Sequence, residues 1–138
     1  MRKTIELVAA TDEVSRVCAV NGGHDALGAS SPAQSWFFAE GYTGTGFDEY
    51  LTIQNPNATA GTATVTYYIQ GQAFPETRTV LLAANSRTTI VVHDAVSASN
   101  PGGLGRDKAH ATRVTTTDLS GIIVERPIYF RYVMDMTP

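Results

Sequence analysis

The segment Thr62-Ala-Thr-Val-Thr-Tyr-Tyr-Ile-Gln70 alternates β-branched or apolar residues with polar ones over nine positions and then stops at Gly71. Strict alternation over this length matches the two-residue repeat of an extended strand with one buried face. Similar short segments recur from Ser35 onward: Ser35-Trp-Phe-Phe-Ala39, Glu49-Tyr-Leu-Thr-Ile-Gln54, Thr77-Arg-Thr-Val-Leu-Leu82, Thr88-Thr-Ile-Val-Val92, Ala109-His-Ala-Thr-Arg-Val-Thr115 and Ile122-Ile-Val-Glu-Arg-Pro-Ile-Tyr-Phe130. Turn formers separate them, including Asn55-Pro-Asn57, Ala84-Asn-Ser86, Asn100-Pro-Gly-Gly103 and Asp118-Leu-Ser-Gly121. No helical periodicity survives after Ser35. About seven short strands at roughly ten-residue spacing predict an all-β, Ig-like antiparallel β-sandwich. Pro127 inside the last segment predicts an edge position or a bulge, because proline cannot donate to a sheet ladder.

With 138 residues, 43% apolar and 17% charged, the chain suits one domain with its own core. A disordered chain is excluded, and no apolar run reaches the ~18 residues of a membrane span. The net charge of −3 argues against a nucleic-acid partner. The single cysteine, Cys18, excludes an internal disulfide and a cysteine-built metal cluster. Residues 1–34 differ from the rest and read as an N-terminal extension, with Asn21 to Gln34 as its linker, ahead of a sandwich over 35–138. The first ten residues begin like a signal peptide, but Glu6 and Thr11-Asp-Glu13 break its apolar region, so no export signal is expected within this chain. The extension is expected to add an edge strand to the sandwich or to a neighbouring copy.

Several blocks carry a resemblance. They are Trp36-Phe-Phe-Ala-Glu-Gly-Tyr-Thr-Gly44, Phe47-Asp-Glu-Tyr-Leu-Thr-Ile-Gln-Asn-Pro56, Leu82-Ala-Ala-Asn-Ser-Arg87, Gly103-Leu-Gly-Arg-Asp107 and Ile123-Val-Glu-Arg-Pro-Ile-Tyr-Phe130. In this order they resemble a recurring β-sandwich repeat domain of bacterial secreted and cell-surface proteins, over residues 35–132. The resemblance implies an Ig-like module, secreted or at the cell surface, repeated or appended to a hydrolase. It implies no residue-level activity, and nothing before Ser35 matches it.

Three groups of side chains invite a chemical reading. Aromatic faces stack on sugar rings, so Trp36, Tyr42 and Phe47, with Glu40 and Asp48 as hydrogen-bonding acids, form the candidate ligand-binding set. Tyr42 and Phe47 flank the glycine-rich loop Gly41–Gly46 and are expected to be its exposed platform, whereas the shared parity of Trp36 and Phe38 points to the core. The carboxylates Glu40, Asp48 and Glu125 supply the alternative, a glycan hydrolase, which needs two carboxyls about 5–10 Å apart. Against that, Glu125 sits among apolar residues and is expected to be a buried partner of a nearby arginine. His24, His93 and His110 lack ligand spacing, so no metal or other cofactor is expected. Gly102–Lys108 lacks the spacing of a phosphate loop, and Arg106 with Asp107 is expected to pin a long loop instead.

The sequence therefore predicts a non-catalytic extracellular or cell-surface module for adhesion or carbohydrate attachment, accessory to a larger secreted protein. Its partner would be a polysaccharide or cell-wall glycan. The alternatives are the hydrolase and a structural domain that self-associates through an edge strand into a homo-oligomer.

Overall fold

The computed structural model describes Thr4–Leu7, Arg16–His24 and residues 29–136. Ten strands occur among them: β1 (Thr4–Leu7), β2 (Arg16–His24), β3 (Ser35–Tyr42), β4 (Phe47–Asn55), β5 (Gly61–Ile69), β6 (Glu76–Leu82), β7 (Ser86–Val91), β8 (Ala109–Thr115), β9 (Ile123–Glu125) and β10 (Ile128–Met136). They form two antiparallel sheets. One runs β1-β2-β10-β4-β7, with β9 also paired to β4, and the other runs β3-β8-β5-β6. This is the expected all-β antiparallel sandwich. The seven segments read from Ser35 onward supply β3 to β10, the last being split in two, and the N-terminal extension supplies β1 and β2. No helix among the described residues is long and apolar enough to cross a membrane.

Alternation explains which face each strand buries. Ala63, Val65, Tyr67 and Ile69 of β5 point inward, as do Leu51 and Ile53 of β4, Val80 and Leu82 of β6, and Ile90 of β7. Together with Val114, Ile122, Val124 and Leu104 they form one continuous core, against which Trp36 and Phe38 pack. The inward positions are not all apolar. Glu49 and Asn55 share the inner face of β4, and His110 and Thr112 that of β8. Asn55 is satisfied there: its amide donates to the carbonyls of Thr59 and Ala83, and its Oδ1 accepts from Asn57 N. The Asn-Pro-Asn turn is thereby closed.

Pro127 separates β9 from β10 without shifting the register. Thr52 lies opposite Glu125 and Glu49 opposite Ile128, so one frame runs through both. Tyr50 N donates to Pro127 O, and proline returns no hydrogen bond. The bulge alternative is therefore corrected. The real bulge lies in β3, where the register to β8 shifts between Phe38 and Gly41. The linker reading of 21–34 also needs correction, because β2 continues to His24, which pairs with Ile128. Residues 8–15 and 25–28, and the side chains of Cys18 and His24, lie outside the described residues.

Candidate ligand-binding cleft

The bulge in β3 sets the geometry of one end of the four-stranded sheet. Trp36 and Phe38 face inward, and continued alternation would send Glu40 inward with them. Instead Ala39 and Glu40 together oppose the single residue Ala111, and Gly41 takes the inward position opposite His110. Glu40 is therefore exposed, and Tyr42 emerges on the outer face, 44% exposed. An added Cβ on Gly41 would lie 2.4 Å from His110 Cε1 and 2.9 Å from Glu49 Oε1, so only glycine allows this approach.

The outer face beside the bulge is a cleft of about 510 Å³. Ala109 and Ala111 of β8 form its floor. Their small side chains lie between Tyr42 of β3 on one side and Tyr68 of β5 on the other. Phe74, in the β5–β6 turn, is 83% exposed and completes the second wall. Glu40, Gln70 and Gln72 supply polar groups to the rim. Phe37, also exposed, extends the aromatic surface along the same face, with the Arg113 guanidinium 5.3 Å from its ring centre.

Beneath the floor lies a buried polar chain. Glu49 Oε2 accepts from Tyr42 N at 2.9 Å and faces His110 Nε2 at 3.1 Å. The carboxylate makes Nε2 the donor, and His110 Nδ1 meets Thr112 Oγ1 at 3.0 Å. Both side chains of the Glu49–His110 pair are fully buried. Tyr67 packs edge-on against His110, and its hydroxyl donates to Gly102 O at 2.7 Å. Burial pushes the Tyr67 phenol above its ordinary value, and the Glu49 charge adds to this. The supports of the floor are thus hydrogen-bonded, except that Glu49 Oε1 has no partner among the described residues.

The candidate residues separate into two sets. Glu40 and Tyr42 line the cleft. Trp36 does not: it faces inward, and its indole Nε1 donates to Ile122 O at 2.9 Å. Phe47 is half-buried rather than an exposed platform, because it shares the inner parity of β4. It braces Tyr42 edge-on at 5.0 Å and stacks on Phe130 at 6.0 Å. Asp48 lies on the outer face of the other sheet, where Arg106 binds its Oδ1 and also the Phe47 carbonyl, each at 2.6 Å. Arg106 thus pins the long loop as expected, while Asp107 adopts φ 61° and donates to Thr43 O.

Glu125 requires a correction. Its parity places it on the outer face, exposed, and it forms no ion pair with a described residue. It lies opposite Thr52, four residues along from Asp48, which is about 13 Å of strand. That exceeds the carboxyl spacing of glycoside hydrolysis. The buried carboxylate is Glu49, a fourth acidic candidate that was given no role from sequence although Glu49, Leu51 and Ile53 share one parity. His93 is also buried, its Nδ1 donating to Glu49 O at 2.9 Å. Among the described residues, no group of three or more His, Cys, Asp or Glu side chains is placed to hold a metal ion.

No protein-family model and no curated protein matches the chain. Solved structures do. The Anabaena sensory rhodopsin transducer is similar at 19% identity and a TM-score of 0.56, covering 71% of this chain and 85% of that one. The crystal structure of Thermotoga maritima 1070 is similar at 14% identity and a TM-score of 0.60, covering 75% of this chain and 92% of that one. At these identities the likeness establishes a shared β fold.

Proposed function

We propose that this chain is a non-catalytic carbohydrate-binding module of a secreted or cell-surface protein, attaching it to a polysaccharide or cell-wall glycan. The observation that carries this reading is the cleft with an alanine floor and aromatic walls. Tyr42, Tyr68 and Phe74 offer ring faces to the C–H surfaces of sugar rings, and Glu40, Gln70 and Gln72 offer groups for hydroxyls. Its volume lies within the ~300–1,000 Å³ of small-ligand sites. The support is the chemistry of this cleft alone.

The test is depletion of the purified protein by insoluble polysaccharides and peptidoglycan. At least one polymer should remove it from solution, and the double substitution Tyr68→Ala, Phe74→Ala should weaken that binding at least tenfold. Both rings are exposed, so stability should be unaffected. Undiminished binding by the double variant would place the site elsewhere, and no depletion by any polymer would remove the reading. A second reading, self-association, has one observation behind it. The far half of β10 pairs with β2 and not with β4, leaving one backbone edge open among the described residues. A strictly monomeric mass at high concentration would exclude it.

A further inference from the structure

The outer face of the opposite sheet carries a second aromatic surface. Tyr50 of β4 and Tyr129 of β10 meet edge-on at 6.0 Å, and Tyr129 is 56% exposed. With Pro127 they form the apolar end of a groove of about 260 Å³. Thr52 and Thr89, cross-strand partners on β4 and β7, continue it, and Arg87 closes its far end opposite Gln54. Tyr50 is braced from below: the His93 ring meets it edge-on at 5.1 Å and is itself held by the Glu49 carbonyl. Arg87 is exposed and makes no hydrogen bond or ion pair to a described residue. By contrast, Arg78 and Arg106 are each bonded to a carboxylate.

We propose that this groove is a second saccharide site, selective for one acidic sugar residue: a pyranose ring carrying a carboxylate. Tyr50 and Tyr129 take the C–H face of the ring, the threonine hydroxyls meet its hydroxyls, and Arg87 takes the carboxylate. Three features favour a singly charged ring over other anions. The groove is half the volume of the first cleft and suits one ring of a chain. Its single free cation matches one carboxylate, whereas a phosphate group commonly draws several cationic donors. Glu125, facing the same side opposite Thr52, disfavours a second negative charge and accepts from hydroxyls. The first cleft, lined by Glu40 and two glutamines, has no cation and suits a neutral sugar. Two sites on opposite sheets would let one chain bridge two glycan strands.

The test is calorimetric titration at low salt with soluble oligomers of three uronates (polygalacturonate, alginate and hyaluronate), and with the methyl ester of any that binds. Wild type should bind at least one acid form, with affinity reduced tenfold or more by esterification. Arg87→Gln should weaken binding of the acid tenfold and leave binding of the ester unchanged. Tyr129→Ala should weaken both. The first-cleft double variant Tyr68→Ala, Phe74→Ala should bind the acid like wild type, so failure here and failure of the first cleft are separate results. Binding of no uronate, binding indifferent to Arg87→Gln or Tyr129→Ala, or binding lost with Tyr68 and Phe74 would each overturn the proposal. Unfolding curves for each variant verify that the fold is kept.

Discussion

Replacing the two members of the buried Glu49–His110 pair, singly and together, tests how the floor of the cleft is held. Glu49→Met removes the acceptor of two donors, Tyr42 N and His110 Nε2, inside a site with no water access. Removing one partner of a buried pair costs about 3–5 kcal/mol, because the other remains buried without compensation. His110→Leu has a similar cost, since it leaves the Glu49 carboxylate with only the Tyr42 N–H. Independent effects would sum to about 6–10 kcal/mol, as much as many domains possess in total. In the double variant neither member of the pair remains, and two apolar side chains of similar volume fill the space. The residual cost is the Tyr42 N–H and the Thr112 hydroxyl, both left without their partners, about 1–3 kcal/mol each. The double variant should therefore cost well below the sum of the two single ones, with a coupling of several kcal/mol. Urea unfolding with a common slope measures all three. Additivity within about 0.5 kcal/mol would refute the reasoning, because the two side chains would then contribute independently.

Two further outcomes follow from single residues. Asp118 accepts from Thr62 N, Thr62 Oγ1 and Thr116 Oγ1, and these bonds hold its carboxyl below the ordinary 3.8. A depressed folded value contributes stability above the unfolded value and loses it as pH falls through the folded one. Asp118→Asn should thus remove part of the stability loss that wild type shows in denaturant titrations below pH 3.8, and an unchanged acid profile would contradict it. Gly46 has φ +83°, and a Cβ there would lie 2.6 Å from Arg131 O, whereas Gly71, at φ +82°, has nothing within 4 Å. Both Gly→Ala changes incur the left-handed backbone cost of about 1–2 kcal/mol, but Gly46→Ala must also move the β10 backbone. Its midpoint should therefore fall further than that of Gly71→Ala, and equal midpoints would contradict the close approach.

The cleft shows how far local sequence reaches. Glu40 and Tyr42 were singled out because they flank a glycine-rich loop at the end of an aromatic strand, and the structure places both on the cleft lining. Tyr68, Gln70, Gln72 and Phe74 carried no comparable signal. They lie about thirty residues away and meet Tyr42 only because β8 seats itself between β3 and β5. Phe47 and Glu125 were misplaced for a simpler reason: loop proximity and apolar neighbours outweighed parity, although parity alone puts Phe47 and Glu49 inside and Glu125 outside. Had the phase of Leu51 and Ile53 been extended two residues back, it would have shown Glu49 as a buried carboxylate needing a partner.

The sequence by itself determined the fold class and most strand positions. Alternation and turn residues act over a few bonds, and each strand carries its own buried face in its side chains. Tertiary structure alone decided which strands became neighbours, that a one-residue bulge would turn Glu40 outward, and that Gly41 would rest against a buried Glu49–His110 pair. Those outcomes depend on contacts between residues up to 120 positions apart, as in Arg16 opposite Met136, and 61 apart between Glu49 and His110. Local sequence holds no record of such contacts, because the energy that selects them arises only when the two sheets close on each other and water is expelled.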